Sequence, residues 1–282
     1  MAVSIGAALS EAAETLREQE IRDPRLDATL LLAHLLQRDR AFLIAHREME
    51  LSPRQLEAFR GFVSRRAKGE PLQYLTKHQE FFKSDFEVTP DVLIPRPETE
   101  LIVEAALKLL PSGASYEFAD VGTGSGCLAI SILREHPKAR AVALDISARA
   151  LRVARRNSEH HQVSNRLELV ESNLFANLAS DRRFDLIVSN PPYVSDAEMK
   201  TLPREVLREP ANALAGGPDG LSVVRRLLLD APAYLKASGY FIFEIGIGQA
   251  EVLPGLIDER AWKLIEIQRD LAGIPRTVVL QK

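Results

Sequence analysis

The residues with the clearest chemical potential form the segment Asn190-Pro191-Pro192-Tyr193, which directly follows the apolar, strand-like run 184–189. The amide oxygen of Asn190 is a hydrogen-bond acceptor, the two prolines restrict the backbone, and Tyr193 offers an aromatic face for stacking. Together these groups could hold a flat ligand that carries an NH2 group. The same residues would also suit an ordinary turn, so their role depends on what the fold brings beside them.

A glycine-rich loop, Gly122-Thr123-Gly124-Ser125-Gly126, lies between a strand-like run and a helix-like run. Glycine permits a left-handed backbone and leaves no Cβ to block a ligand, and N–H groups at the start of a helix face outward. The spacing G-x-G-x-G differs from the G-x-G-x-x-G of dinucleotide sites, which argues against pyrophosphate binding. The spacing therefore does not predict pyrophosphate binding, although the backbone leaves room for a ligand.

Asp145 ends the next strand-like run, nineteen residues beyond Gly126. In α/β nucleotide folds a carboxylate at about this distance binds the ribose hydroxyls of the ligand. The alternative is that Asp145 only caps the helix that follows, but Ser147 is the better capping candidate. The sequence therefore predicts a cofactor with a ribose.

The second half of the chain alternates strand-like and helix-like segments, which predicts an α/β fold with a doubly wound, mostly parallel, seven-stranded sheet. The candidate strands cover residues 116–121, 141–145, 167–171, 184–189, 240–245, 263–268 and 276–281. In such a sheet the first and fourth strands are neighbours, and ligands bind where the strand order reverses. The glycine loop and Asn190 should meet there, although 64 residues separate Gly126 from Asn190.

The N-terminal part has a different pattern. Apolar residues recur at helical spacing in 5–16 and 26–36, and Ser52-Pro53 starts a further helix. All motifs that could do chemistry lie after Glu80. We therefore predict a small N-terminal helical bundle at 1–75 that recognises the substrate, a β-hairpin and proline-rich linker at 76–100, and the sheet domain at 101–282.

Further segments extend one resemblance over essentially the whole chain. They are Glu70 to Leu75, Glu80 to Phe82, Leu93 to Glu100, Glu209-Pro210, and Glu244 to Gly246 with Gln249. With the glycine loop, Asp145 and Asn-Pro-Pro-Tyr, they resemble the peptide chain release factor glutamine methyltransferase family, whose fold is the S-adenosylmethionine-dependent methyltransferase sheet. The stretch from Ile94 to Glu100 is the most specific part.

The resemblance implies methyl transfer from S-adenosylmethionine to the side-chain amide nitrogen, N5, of the glutamine in the Gly-Gly-Gln motif of peptide chain release factors 1 and 2. It assigns catalysis to Asn190, Pro191 and Tyr193. Asn190 Oδ1 and the Pro191 carbonyl would accept the two amide N–H bonds, because a planar amide nitrogen is a poor nucleophile until its geometry is fixed.

The resemblance also implies the rest of the site. Pro192 and Tyr193 would hold the plane of the substrate amide, with Phe81 or Phe82 closing the other side, although an aromatic residue there is as often part of the core. The cofactor would be bound by Gly122, Thr123, Gly124, Ser125, Gly126, Asp145, Asn173, Leu174 and Asn190, with Asn173 at the adenine amino group.

Two positions depart from the family pattern. Lys77 stands where glycine is general, which leaves open a different turn before Glu80. Asn173 stands where an acidic residue is common, so an amide would contact the adenine amino group. Glu98 and Glu100 fit either a helix cap or the substrate pocket. Cys127 is expected to pack beneath the glycine loop rather than react.

Composition restricts the function further. A net charge of −3 disfavours a broad nucleic-acid surface, and no His or Cys spacing suggests a metal site. One cysteine excludes an internal disulfide, and neither a signal segment nor a membrane span is evident, so a cytoplasmic monomer is expected.

Three alternatives remain beside the release factor. They are methylation of a ribosomal-protein glutamine, methylation of adenine N6 in nucleic acid, and a non-catalytic binding module. The adenine enzyme would need a basic, aromatic base-flipping surface, for which the sequence offers little. The binding module conflicts with the intact glycine loop and the intact Asn-Pro-Pro-Tyr.

Overall fold

A computed structural model describes residues 3–111 and 113–282 of the chain. The described chain forms two compact units. One, the helical unit, comprises residues 3–77 together with Pro203–Arg208. The other, the sheet unit, comprises His78–Leu202 and Glu209–Lys282, so the hairpin and linker expected at 76–100 pack with the sheet from His78 onward.

The helical unit contains five helices and one short antiparallel strand pair. The helices are α1 (Ile5–Glu18), α2 (Pro24–Leu36), α3 (Arg40–Ala45), α4 (Pro53–Ala67) and α5 (Leu72–Thr76), and the strands are β1 (Val3–Ser4) and β2 (Glu50–Leu51). Local sequence sets the helix starts: the Ser4 side chain caps α1, and Ser52 with Gln55 forms a capping box on α4. Buried side chains such as Leu31 and Phe59 form its core.

A buried arginine joins distant parts of the helical unit. Arg66 Nε donates to Asp27 Oδ2 at 2.7 Å, and its Nη2 donates to Glu205 Oε2 at 2.7 Å. Its Nη1 also donates to the carbonyl oxygen of Glu70 at 3.1 Å. This network accounts for the presence of Pro203–Arg208, a segment that follows Asn-Pro-Pro-Tyr in sequence, in the helical unit.

The sheet unit contains the remaining elements. Its strands are β3 (His78–Phe81), β4 (Ser84–Glu87), β5 (Glu117–Val121), β6 (Arg140–Asp145), β7 (Leu167–Glu171), β8 (Phe184–Ser189), β9 (Val194–Ser195), β10 (Ala215–Gly217), β11 (Leu235–Glu244), β12 (Lys263–Arg269) and β13 (Pro275–Gln281). Its helices are α6 (Glu100–Leu109), α7 (Cys127–Glu135), α8 (Ala148–His160), α9 (Ala211–Leu214) and α10 (Ser222–Tyr234).

The predicted fold class is confirmed. Seven strands form one sheet in the order β12-β13-β11-β8-β5-β6-β7, in which β13 runs opposite to the other six strands. The first and fourth strands of the alternating region, β5 and β8, are paired as expected. Successive residues of β5 face opposite sides of the sheet: Phe118 packs in one apolar cluster and Ala119 in the other.

The structure differs from the sequence expectations mainly outside the sheet core. Strand β11 begins at Leu235 rather than residue 240, with an irregular register before Tyr240 and a left-handed Ser238 (φ 61°). The short helix α3 and the parallel pair β9–β10 had no clear sequence signal. Short segments of this kind are stabilised by tertiary contacts rather than by their own periodicity.

Lys77 has a left-handed backbone conformation. It has a φ of 62° at the end of α5, in the left-handed region that glycine occupies most easily. A lysine in this region has a strained backbone conformation.

Candidate functional site

A deep cleft lies at the carboxyl ends of β5, β6, β7 and β8. It encloses about 1150 Å³ of empty space, part of it open to solvent. Its lining includes nine of the predicted site residues: Gly122, Thr123, Gly124, Ser125, Asp145, Asn173, Leu174, Asn190 and Pro192. The sheet topology thus brings the glycine loop and Asn190 to one cavity, as the strand order predicted.

The glycine loop leaves free space above its backbone. Gly122 and Gly124 have φ values of 77° and 55°, and a Cβ at either would meet no atom within 4 Å. Gly126 has the opposite constraint, since a Cβ there would lie 2.9 Å from Ile130 Cδ1. The first two glycines therefore keep the cleft open, and the third lets the loop pack against α7.

Hydrogen bonds fix this loop to the neighbouring strands. The N–H of Gly122 donates to the Leu144 carbonyl at 2.8 Å, and the Ser189 hydroxyl donates to the Val121 carbonyl at 2.7 Å. Ser189 immediately precedes Asn190, and Val121 immediately precedes Gly122. The Ser189 bond therefore joins the two predicted motifs at their starting points.

Asp145 does not cap the helix that follows it. Ser147 is the N-cap of α8, and its side chain accepts from the Ala150 N–H. Asp145 Oδ2 accepts from the Gly124 N–H and Oδ1 from the Ser147 N–H, each at 2.9 Å. Burial raises the pKa of Asp145, while these backbone donors lower it. The carboxylate is thus held rigidly where it lines the cleft.

The far wall of the cleft contains Asn173 and Leu174. Leu174 has a φ of 53°, a strained conformation for a leucine that directs the chain along the cavity. Asn173 Oδ1 accepts from Arg226 Nη1 at 3.3 Å. Arg226, which also lines the cleft, was not predicted. The Arg226 guanidinium thus donates to the amide oxygen of Asn173.

Of the two polar atoms in the Asn190 carboxamide, one has a hydrogen-bond partner and the other has none. Its Nδ2 donates to Thr99 Oγ1 at 2.9 Å, and the Thr99 hydroxyl in turn donates to Glu244 Oε2 at 2.6 Å. Its Oδ1 is buried and has no hydrogen-bond partner. A buried acceptor without a partner is unfavourable, so this oxygen is suited to receive an N–H from a ligand.

Glu244 is the most deeply buried charge-bearing group beside Asn190. Its pKa is raised to about 7 by burial, against the lowering effect of hydrogen bonds from Thr99 and Tyr193. Burial and the Glu244 charge raise the pKa of Tyr193. Tyr193 therefore stays a neutral phenol whose hydroxyl contacts Glu244.

The backbone of Tyr193 is held from two sides. Gln249 Nε2 donates to the Tyr193 carbonyl at 3.1 Å, and its Oε1 accepts from the Gly246 N–H at 2.8 Å. A Cβ at Gly220 would lie 2.2 Å from the same carbonyl, so only glycine fits at that position. The Asn-Pro-Pro-Tyr backbone is therefore fixed by packing as well as by its prolines.

The aromatic pair Phe81 and Phe82 is not part of the cleft lining. Phe81 is buried in the core of the sheet unit against Phe86, with ring centroids 6.1 Å apart. Phe82 lies in the hairpin turn with a φ of 47°, and its N–H donates to Glu100 Oε1 at 2.9 Å. The Glu100 side chain therefore holds the hairpin turn. This contact differs from both roles expected from the sequence, a helix cap and the substrate pocket.

A second buried carboxylate joins two segments that line the cleft. Glu209 accepts from the Ile94 N–H at 3.0 Å and forms an ion pair with Arg96. Pro95 and Pro210, which flank these contacts in sequence, both line the cavity. The role of Glu209 is therefore to hold the wall of the cleft rather than to face it.

Beneath the glycine loop lie Asp120 and Cys127. Burial raises the pKa of Asp120 to about 7, and its Oδ2 accepts from Thr123 Oγ1 at 2.6 Å and from the Ala129 N–H. Cys127 is buried and also lines the cleft, and burial raises the pKa of its thiol to about 12, which disfavours the reactive thiolate.

Thr99, Glu244 and Gln249 had no predicted role, although all three stand in segments that carried the family resemblance. The sequence signal for Glu244 is a polar residue at the end of the apolar run Phe241-Ile242-Phe243. That signal marks a strand end at the cleft, but it does not say which residue the side chain will contact.

Family models match both parts of the chain. The PrmC N-terminal domain matches residues 7–76, and the methyltransferase small domain matches residues 99–238. Among known structures, the catalytic domain of hMettl16 in complex with an RNA hairpin superposes with a TM-score of 0.58 at 16% identity, over 77% of this chain and 81% of the other. This likeness shows the fold.

Curated relatives cover almost the whole chain. The release factor glutamine methyltransferase of Koribacter versatilis is 40% identical over 99% of both chains. That of Geobacter sulfurreducens is 44% identical over 93% of this chain and 91% of its own, and that of Moorella thermoacetica is 41% identical over 97% of both. With the cleft and its Asn-Pro-Pro-Tyr in place, these similarities establish that the chain belongs to the release factor glutamine methyltransferase family.

Proposed function

We propose that this protein transfers a methyl group from S-adenosylmethionine to N5 of the glutamine in the Gly-Gly-Gln motif of peptide chain release factors. The observation that supports it best is the buried, unpartnered Oδ1 of Asn190 at the cleft, in a member of this family. An acceptor in this state matches a substrate that brings an NH2 group. Release factors 1 and 2 are the proposed partners, with a monomeric enzyme acting in the cytoplasm.

The chemistry follows from the amide group of the substrate. Its nitrogen lone pair is delocalised into the carbonyl, which makes it a poor nucleophile. Asn190 Oδ1 and the Pro191 carbonyl accept its two N–H bonds, which fixes the nitrogen opposite the methyl group and stabilises the positive charge that it gains. The sulfur–methyl bond breaks as the nitrogen–methyl bond forms. The N-protonated amide formed in this way is a strong acid and gives one N–H proton to water, which leaves N5-methylglutamine and S-adenosylhomocysteine.

The cofactor is assigned to the remainder of the cleft. The open faces of Gly122 and Gly124 accommodate its methionine end, and Asp145 binds the ribose hydroxyls. Asn173 and Leu174 contact the adenine, with Arg226 beside them. The fit rests on the lining residues and on the space above the glycines.

On the acceptor side, Pro192 lines the cleft and Tyr193 follows it directly in the chain. We assign to Tyr193 the support of the substrate amide plane, with its hydroxyl fixed on Glu244. The core position of Phe81 favours a structural role for that residue instead of the closing contact expected from the sequence.

The test is methyl transfer from labelled S-adenosylmethionine into purified release factor, ribosomal protein and DNA in parallel. We expect label in the release factor alone, and a release factor with Gly-Gly-Ala in place of Gly-Gly-Gln serves as the matched control. Label in ribosomal protein or DNA without label in release factor would refute the assignment.

The helical unit is proposed to recognise the folded release factor. Ile44 on α3 is 70% exposed, more than the other large apolar side chains among the described residues of this unit. An exposed isoleucine is a suitable contact for a protein partner. In the full-length enzyme, Ile44→Asp should raise the KM for intact release factor and leave the KM for a short Gly-Gly-Gln peptide unchanged.

Leu229 on α10 gives a matched control, since it is 79% exposed but belongs to the sheet unit. Leu229→Asp should change neither KM. Equal KM values for intact release factor in the wild type and in Ile44→Asp would show that this face of the helical unit does not contact the substrate.

A further inference from the structure

Asn190 can serve as an acceptor only in one of two orientations. Rotation of its carboxamide by 180° exchanges Oδ1 and Nδ2 with little change in the volume that they occupy. In the reversed orientation two N–H donors, one from Asn190 and one from the substrate amide, would face each other. Something must therefore select the orientation with Oδ1 toward the substrate.

The buried residues behind Asn190 provide that selection. The Thr99 side chain is almost fully buried, at 2% exposure, and Glu244 is at 1%. An ionised carboxylate only accepts hydrogen bonds, so the Thr99 hydroxyl donates to Glu244 Oε2 at 2.6 Å. The lone pairs of Thr99 Oγ1 are then left to accept from Asn190, which turns Nδ2 toward Thr99 at 2.9 Å.

We propose that Thr99 and Glu244 are positioning residues that orient the Asn190 carboxamide, so that its unpartnered Oδ1 faces the amide to be methylated. This inference rests on the proposed function of Asn190. Tyr193 completes the arrangement, because its hydroxyl donates to the same carboxylate. Three polar residues from separate segments of the sheet unit are thereby linked behind one catalytic oxygen.

The first test compares variants at Thr99. Thr99→Val removes the hydroxyl at nearly constant volume and should lower kcat roughly 10- to 100-fold, less than the loss of Asn190 itself, because the amide is misoriented only part of the time. Cofactor Kd should stay within about twofold. Thr99→Ser, which keeps the hydroxyl, should restore most of kcat.

Thr277, on the strand next to that of Glu244, offers a matched control. Its side chain is fully buried on β13, opposite Glu244 in register, and its hydroxyl has no hydrogen-bond partner. Thr277→Val also removes one buried hydroxyl and should leave kcat unchanged. A combined variant, Thr99→Val with Asn190→Ala, should be no slower than Asn190→Ala alone, since Thr99 acts only through Asn190.

A second variant keeps the inference testable if Thr99→Val does not fold. In Glu244→Gln the new amide can donate to Thr99, which releases the Thr99 hydroxyl toward Asn190 Oδ1. The wild-type kcat should fall as the pH drops through about 7, where Glu244 gains a proton, with Arg276 opposing and Glu98 favouring that protonation. Glu244→Gln should be slow at every pH and lack this dependence.

The results separate this inference from the proposed function. If the wild type labels no release factor, the proposed function fails. If the wild type is active and Thr99→Val retains its kcat within about twofold, Thr99 does not orient Asn190 and the inference is wrong. Equal additional losses from Thr99→Val in the wild-type and Asn190→Ala backgrounds would also overturn it.

Discussion

Asn190 differs from an ordinary turn asparagine in the state of its two amide atoms. One is fixed by Thr99, and the other is buried without a partner. A structural asparagine satisfies both ends, because leaving an acceptor unpaired costs about 1–3 kcal/mol. Thr277 also has a buried, unpaired hydroxyl but does not line the cleft, so it is the unpaired oxygen together with its place at the cleft that separates a binding residue from a turn residue at Asn190.

Asn190→Ala should therefore reduce kcat by about 10²- to 10³-fold, the range for removing one preorganised hydrogen-bonding group from a transition state. Cofactor Kd should change by no more than a few-fold. Calorimetric titration and steady-state kinetics measure the two quantities separately. Loss of cofactor binding in the variant would assign Asn190 a structural role in the cleft.

Asp145→Ala should weaken S-adenosylmethionine binding by about 1.5–3 kcal/mol, the range for hydrogen bonds to a charged group. Because Asp145 also holds the Gly124 N–H, the ribose contact needs its own control. A cofactor analogue without ribose hydroxyls should bind the wild type and Asp145→Ala almost equally. A large difference with that analogue would mean that Asp145 acts only by holding the loop.

At the scale of single elements, one helix end and one hairpin turn contain residues other than glycine in the left-handed region. Lys77 ends α5 in a left-handed conformation, and Phe82 and Lys83 form the β3–β4 turn with φ values of 47° and 58°. The hydrogen bond that the Phe82 N–H donates to Glu100 offsets the cost of the left-handed backbone in this turn.

Lys77→Gly should stabilise the protein by about 1 kcal/mol, since relief of the left-handed strain exceeds the entropy that glycine adds to the unfolded chain. Lys68 is the matched control, because it ends α4 with a φ of −83°. Lys68→Gly gains no relief and should destabilise by about 0.5–1 kcal/mol. Urea unfolding of both variants tests the sign of each change.

At the scale of the whole molecule, the two compact units are not consecutive pieces of sequence. Pro203–Arg208 belongs to the helical unit, while the residues on either side belong to the sheet unit. A truncated chain that begins near Gln79 would leave Glu205 without Arg66. Surface variants of the full-length protein therefore test substrate recognition better than deletion of the helical unit does.

The buried network of the helical unit gives a stability prediction. Arg66→Met should destabilise by about 3 kcal/mol, because it leaves the Asp27 carboxylate buried and unpaired. The added change Asp27→Leu should recover much of that loss. Arg65→Met on the same helix is the control: its ion pair with Glu70 is partly exposed, so we expect less than about 1 kcal/mol. Equal losses from Arg65→Met and Arg66→Met would contradict this account.

Stability should also depend on pH through the buried carboxyls. The pKa of Asp120 is raised from 3.8 to about 7 and that of Glu244 from 4.5 to about 7, so at pH 6 the folded state holds protons that the unfolded state has released. Their contribution to stability is full below pH 4 and is lost as the pH rises through about 7. His136 and His161 act oppositely, because their pKa values are lowered.

Comparison with Asp120→Asn isolates one carboxyl from these opposing groups. Without cofactor, the gain in Tm on going from pH 8 to pH 6 should be larger in the wild type than in Asp120→Asn. Differential scanning calorimetry at several pH values measures the difference. Parallel Tm curves for the two proteins would show that Asp120 has the same pKa in the folded and unfolded states.

The sequence by itself determined the sheet and two parts of the site, the glycine loop and Asn190. Strands 167–171 and 184–189 were predicted at their observed limits. The mostly buried strand 184–189 is a nearly continuous apolar run, whereas 167–171 lies at the edge of the sheet and alternates apolar with polar residues. The glycine loop and Asn190 were placed together by the strand order, since the carboxyl ends of adjacent parallel strands must lie on one edge.

Only the tertiary structure decided which side chains complete the site. Thr99, Glu244 and Arg226 come from distant segments, and the core position of Phe81 depends on how the hairpin folds back onto the sheet. Backbone patterns follow from local periodicity, so they can be predicted from the residues in order. Two side chains become partners only when packing brings their polar atoms within hydrogen-bond distance, about 3 Å. Only the packed chain sets that distance.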